Sequence, residues 1–177
     1  MSSKDGGFAA GAENALAAIF SFKGPALTAE EKSFFRESNP FGFILFGRNI
    51  ETPNQLKALT DDLKNTLGRD CPILIDQEGG RVQRMRPPQW RAYPAMREFG
   101  EHAEENPEAA IESLRFVILQ LAEELGAAGI NVNCTPVLDV LTVHTHEAIG
   151  DRAFSSDAAL VTQLGLVVAE TLLSAGI

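Results

Sequence analysis

The chain has 177 residues, 45% hydrophobic and 22% charged, with a formal net charge of −9 and a pI near 4.8. That composition belongs to a soluble globular protein with enough chain for one domain-sized core. The acidic balance speaks against nucleic acid and against an anionic membrane surface, since both need a basic face. No apolar run nears the ~20 residues needed to cross a bilayer. Residues 15–20 are apolar but too few, and no basic leader precedes them, so a cytoplasmic protein is expected.

Residues 1–14 begin with a small, polar, Gly-rich stretch and read as a flexible terminus. A first strand is expected over 16–20. Thr28 with Glu31 three residues on forms a capping-box pattern and opens a helix, which Asn39-Pro40 closes. FGFILF (41–46) is a continuous apolar run, as a strand buried on both faces requires. Thr52-Pro53 starts a second helix, striped by Leu56, Leu59, Leu63 and Leu67 and ended by Gly68.

Residues 72–75 form the next buried strand and run directly into DQEGGRVQR. A long connection rich in Arg, Pro and aromatics follows. A helix is expected over 107–128, a fourth strand over 130–140, a loop to Ser156 and a last helix over 157–175. Gly176-Ile177 reads as the opening of another strand. Cys71 and Cys134 both fall in apolar, strand-like segments and read as buried reduced thiols.

Buried strands alternating with helices imply a parallel α/β sheet. Periodicity alone leaves two architectures open, a doubly wound open sheet or part of a (β/α)8 barrel. A whole barrel needs ~250 residues, more than this chain has.

In either architecture the site lies at the carboxyl ends of the strands. Asp76-Gln77-Glu78-Gly79-Gly80-Arg81-Val82-Gln83-Arg84 places two carboxylates, two guanidiniums, two amides and paired glycines directly after a strand. Such groups hold hydroxyls and carbonyls through charge-assisted hydrogen bonds, and the glycines would let the backbone approach a ligand. The same residues also read as an ion-pair knot closing the strand end. Ile149-Gly150-Asp151-Arg152-Ala153-Phe154 is a second such segment, readable as a cleft-directed charge or a surface salt bridge. Asp139, Arg48 and Asn49 are placed similarly at strand ends. For Asp139, orienting a nearby arginine is the simpler role.

His144 and His146 lack a third ligand and read as solvated loop residues, so no metal is expected. His102 lies near an expected helix start and should be exposed. The sequence has no GxGxxG, Walker A, GxSxG or HExxH motif, which removes the main support for a nucleotide-binding sheet.

FGFILFGRN, ILIDQEGGRVQR, NVNCTPVLDV and IGDRAFSSD occur in this order and, together, resemble the N-terminal half of a glycoside hydrolase family 3 β-N-acetylhexosaminidase. The likeness runs from about Leu16 to Ile177 and is to the cytoplasmic bacterial branch that trims muropeptides in cell-wall recycling. It implies a (β/α)8 barrel, with residues 15–177 forming about its first four βα units. It also implies that Asp76, Arg84 and Arg152 bind the sugar of an N-acetylglucosamine-containing muropeptide or glycoside, with no cofactor. The family pattern continues with a Lys-His pair, a catalytic His and a nucleophilic Asp. Here the last lysine is Lys64 and the last histidine His146. No catalytic residue is therefore assigned, and the 177 residues alone are expected to be inactive. An open half barrel would also expose strand edges and apolar side chains, which favours self-association.

Overall fold

The computed structural model describes residues 11–177; most of the terminus expected to be flexible, residues 1–10, lies outside the described residues. The elements run β1 (Leu16–Phe20), α1 (Ala29–Ser38), β2 (Pro40–Leu45), α2 (Pro53–Leu67), β3 (Ile73–Ile75), β4 (Gln77–Gly79), β5 (Val82–Gln83), α3 (Met96–Glu105), α4 (Pro107–Ala127), β6 (Val132–Asn133) and α5 (Ala158–Ser174). They divide into two compact units. One holds the chain up to Ile75 with Ala127–Val132, the other Asp76–Gly126 with Asn133–Ile177.

The first unit is built on a sheet of order β1-β2-β3-β6, to which β6 contributes Val132. β2 lies parallel to β1, with Ile19 opposite Gly42 and Phe20 opposite Phe43. It lies parallel to β3 on its other side, with Phe43 opposite Ile73 and Leu45 opposite Ile75. Phe43, Leu45, Ile73 and Ile75 are fully buried, as the continuous apolar runs demand. Phe43 packs edge-on against Phe35 of α1, with ring centroids 5.0 Å apart. The capping box of α1 forms: Glu31 N donates to Thr28 Oγ1 and Thr28 N to Glu31 Oε2. The leucine stripe of α2 turns inward, with Leu56, Leu59 and Leu63 buried. β1, at the end of the sheet order, leaves Leu16 and Ile19 exposed.

The fourth strand is much shorter than expected. Only Val132–Asn133 is strand, because two asparagine side chains take over the pairing. Asn131 Oδ1 accepts from Ile73 N at 2.7 Å, and its Nδ2 donates to Cys71 O at 3.0 Å. In the second unit Asn133 repeats the device on Gln77, accepting from its N at 3.0 Å and donating to its O at 2.9 Å. A carboxamide carries one acceptor and two donor hydrogens, so it mimics a peptide group and frees the backbone from the ladder.

The second unit holds α3, which the expected long connection concealed. Ala95, the residue before it, offers no capping side chain, and Glu98 Oε1 accepts from Ala95 N instead. Met96, Phe99, Gly100 and Ala103 are its buried face. His102 is exposed as expected but lies in the last turn of α3, not near a helix start. Gly176 and Ile177 take part in the end of α5. Gly176 N donates to Leu173 O and Ile177 N to Leu172 O, closing α5 in a Schellman cap with Gly176 at φ 84°.

Candidate active site

All three sugar-contact candidates fall in the second unit. DQEGGRVQR is a short antiparallel hairpin of β4 and β5, not an open loop. Its two amides are the scaffold. Gln77 is buried, with Oε1 accepting from the backbone N–H groups of Arg84 and Met85 and Nε2 donating to Met85 O. Gln83, also buried, donates to Met85 O and Arg91 O and accepts from Tyr93 N. Amides bonded through both oxygen and nitrogen fix a hairpin without needing a ligand.

The paired glycines also serve the scaffold. A Cβ on Gly79 (φ 102°) would stand 2.2 Å from Pro94 O, and one on Gly80 (φ 54°) would stand 2.8 Å from Ala95 Cβ. The close approach they permit is to the 93–95 segment, which corrects the expectation that it is to a ligand.

The charged side chains form two pairs. Arg84 Nη2 donates to Asp76 Oδ2 at 2.6 Å, with both side chains about a quarter exposed. This is the one ion pair of the Asp76 carboxylate among the described residues, and the Cys134 thiol lies beside the same carboxylate. Arg152 binds Glu78 with a two-pronged fork, Nε to Oε2 and Nη2 to Oε1, both at 2.8 Å. Glu78 is nearly inaccessible at 3%, whereas Arg152 keeps 27% of its side chain exposed. The Glu78 hydrogen bonds push the Arg152 pKa upward, and the charges of Glu78, Asp139 and Asp76 add to the effect. The negative charges of Asp76, Glu78 and Asp139 thus act on one guanidinium, which only Glu78 contacts directly. Asp139 forms no ion pair among the described residues, but its charge acts on that arginine.

Cys134 belongs to the same cluster and is exposed, not buried as expected; Cys71 is buried. Partial shielding of the Cys134 thiol, together with the charges of Asp76 and Glu78, pushes its pKa up to about 11. Fewer thiolates form at neutral pH, while each is intrinsically more nucleophilic. Cys134 should therefore alkylate with iodoacetamide about tenfold more slowly than a free cysteine at pH 7.5, and Asp76→Asn should quicken it. Peptide mass spectrometry over a time course reads both rates; an ordinary cysteine rate in the wild type would contradict the cluster.

The remaining candidates have structural partners. Arg48 donates to Phe22 O and Ser21 Oγ and lies over the Phe46 ring. Buried Asn49 donates to Phe22 O and Gly24 O and accepts from Phe46 N. Both tie residues 21–24 to the end of β2. His144 is an exposed turn residue, and His146 Nδ1 accepts from Ala148 N. Sequence reasoning missed Glu78 as the partner of Arg152; its place two residues after Asp76, on the same side of an extended strand, was the available signal.

The parallel sheet of the first unit, with helices between its strands, is an α/β arrangement of the TIM-barrel type. The chain belongs to glycosyl hydrolase family 3: residues 15–177 match the family's N-terminal domain. It is 40% identical over 153 residues to a β-hexosaminidase of Bordetella avium, covering 86% of this chain and 43% of that protein. NagZ from Neisseria gonorrhoeae, solved in complex with N-trifluoroacetyl-D-glucosamine, matches with a TM-score of 0.86 and 34% identity, over 92% of this chain and 48% of that one. A family 3 β-N-acetylglucosaminidase from a Paenibacillus species matches with a TM-score of 0.81 and 27% identity, over 90% of this chain and 30% of that one. The chain thus spans less than half the length of the curated relative and about half that of the solved NagZ.

Proposed function

We propose that this chain supplies the sugar-gripping part of a β-N-acetylhexosaminidase site, with Asp76, Arg84 and Arg152 holding a terminal β-linked N-acetylglucosamine. The observation that carries this is the Asp76–Arg84 pair, partly exposed directly after β3. Asp76 would accept from ring hydroxyls, and Arg84 would donate to the sugar while holding the Asp76 carboxylate in place. Arg152, locked to Glu78, would form a fixed wall of the pocket. A sugar analogue in the solved NagZ is consistent with this substrate class.

The muropeptide substrate, the recycling role and a cytoplasmic setting rest on the joint presence of DQEGGRVQR and IGDRAF and on likeness to bacterial β-hexosaminidases. No helix among the described residues is long and apolar enough to cross a membrane. In a retaining mechanism one group attacks the anomeric carbon and another protonates the leaving oxygen. The family pattern places these on an Asp and a His in segments that are not among these 177 residues. The polypeptide of 177 residues, assayed alone with 4-nitrophenyl N-acetyl-β-glucosaminide, should therefore show no turnover above buffer. Turnover that is lost in Asp76→Asn would overturn this division of labour.

Self-association belongs to the same reading. β1 exposes Leu16 and Ile19, and the second unit exposes Leu138 and Val143. Apolar side chains beside the outer edge of a terminal strand favour a second copy. Sedimentation velocity should show a concentration-dependent rise in mass; a monomer at every concentration would contradict it.

A further inference from the structure

The hairpin and the 147–152 segment exchange a second arginine, and the sugar-site reading above does not use it. Arg81 reaches from the turn between β4 and β5 to Asp151, with Nε to Oδ1 at 2.6 Å. Its Nη2 lies 3.0, 2.7 and 3.0 Å from the carbonyl oxygens of Glu147, Ala148 and Ile149. Arg152 Nη1 donates to the same Ala148 carbonyl at 3.3 Å while its other nitrogens hold Glu78 on β4. Each segment thus gives one arginine and one carboxylate to the other. The result is a reciprocal brace, Arg81 to Asp151 and Arg152 to Glu78, joined through one shared carbonyl.

We propose that Arg81 is a positioning residue: it gathers the 147–149 carbonyls and Asp151 and so sets where Arg152 stands for the sugar. The positioning role rests on the sugar-site reading; the brace itself does not. A planar fork is needed, because one nitrogen serves the carboxylate while another serves the carbonyls. A lysine offers a single point of charge and cannot span both. Arg81 and Asp151 are both nearly half exposed, so their pairing adds little to global stability. A local effect on Arg152 is therefore separable from unfolding.

The test uses nitrogen-15 NMR of the 177-residue chain, following exchange of the Arg152 Nε–H, which the Glu78 fork protects. In Arg81→Ala and Arg81→Lys that exchange should speed up by about tenfold or more, with the amides of β4 and β5 unchanged. Failure of lysine to rescue separates geometry from charge. Unchanged Arg152 exchange overturns the proposal. Faster exchange spread equally over the hairpin, with a matching loss of thermal stability, also overturns it, since Arg81 would then be merely structural. N-acetylglucosamine is titrated into the same samples, and it should shift the Arg152 Nε–H in the wild type and much less in Arg81→Lys. A wild-type signal indifferent to the sugar overturns the sugar-site reading and the positioning role with it; the ligand-free exchange data judge the brace separately.

Discussion

Arg152→Ala should cost on the order of 3–5 kcal/mol of stability, far more than an ordinary surface substitution. The reason lies in its partner. The Glu78 side chain is only 3% exposed, and its hydrogen bonds among the described residues all come from Arg152. Truncating the arginine strands a carboxylate that water reaches poorly, and an uncompensated buried charge is what makes broken ion pairs expensive. The reverse change is milder, because Arg152 remains 27% exposed and can turn to solvent. Adding Glu78→Gln to Arg152→Ala should recover most of the loss, since it removes the stranded charge. Urea unfolding of the three variants checks the asymmetry; equal losses for the two single changes would show that solvent access does not govern this pair. Loss of sugar binding in Arg152→Ala would therefore mix contact with stability, and variants at Asp76 are the cleaner probe of the pocket.

Gly100→Ala should be nearly as damaging, by about 3 kcal/mol or more, although alanine normally favours a helix. A Cβ at position 100 would lie 2.0 Å from Phe154 O and 2.8 Å from its carbonyl carbon. Both are backbone atoms, so no rotamer change relieves the overlap. Either α3 lifts or the 150–154 segment moves, and that segment carries Arg152. Gly126→Ala is the control, because nothing stands within 4 Å of a Cβ there. It should be neutral or slightly stabilising in the same urea series. A tolerated Gly100→Ala would mean that α3 does not press on Phe154 as described.

How much of this was legible in the sequence depends on which force shapes each element. β2 and β3 announced themselves because strands buried on both faces must be apolar throughout. α2 was equally plain, with Pro53 at its start, a leucine stripe and Gly68 in the left-handed conformation at its end. The fourth strand misled, because Asn131 and Asn133 look like polar interruptions of a strand and in fact replace its ladder. α3 was hidden behind a proline-rich stretch and lacks a capping side chain. Met96, Phe99, Gly100 and Ala103 nonetheless follow helical spacing and could have shown it.

The charged segments were identifiable because a parallel sheet collects polar chemistry at its strand ends. Their pairing was not. Glu78 meets Arg152 across 74 positions and Arg81 meets Asp151 across 70, and no local pattern specifies such a meeting. The glycines of the motif show a similar limit. Sequence says that the backbone comes close to something there; only the fold shows that the something is the 93–95 segment.

The central claim is that Asp76, with Arg84 beside it, is the floor of an N-acetylglucosamine pocket. The most direct measurement is a nitrogen-15 NMR titration of the 177-residue chain with N-acetylglucosamine, repeated on Asp76→Asn. Asparagine keeps the shape of the side chain but loses the charge that holds Arg84. The account predicts saturable shifts confined to residues 76–84, Cys134 and residues 150–152, with a dissociation constant on the order of millimolar, about −4 kcal/mol. It also predicts their disappearance in the variant. Shifts that map elsewhere, or that survive unchanged in Asp76→Asn, would contradict it.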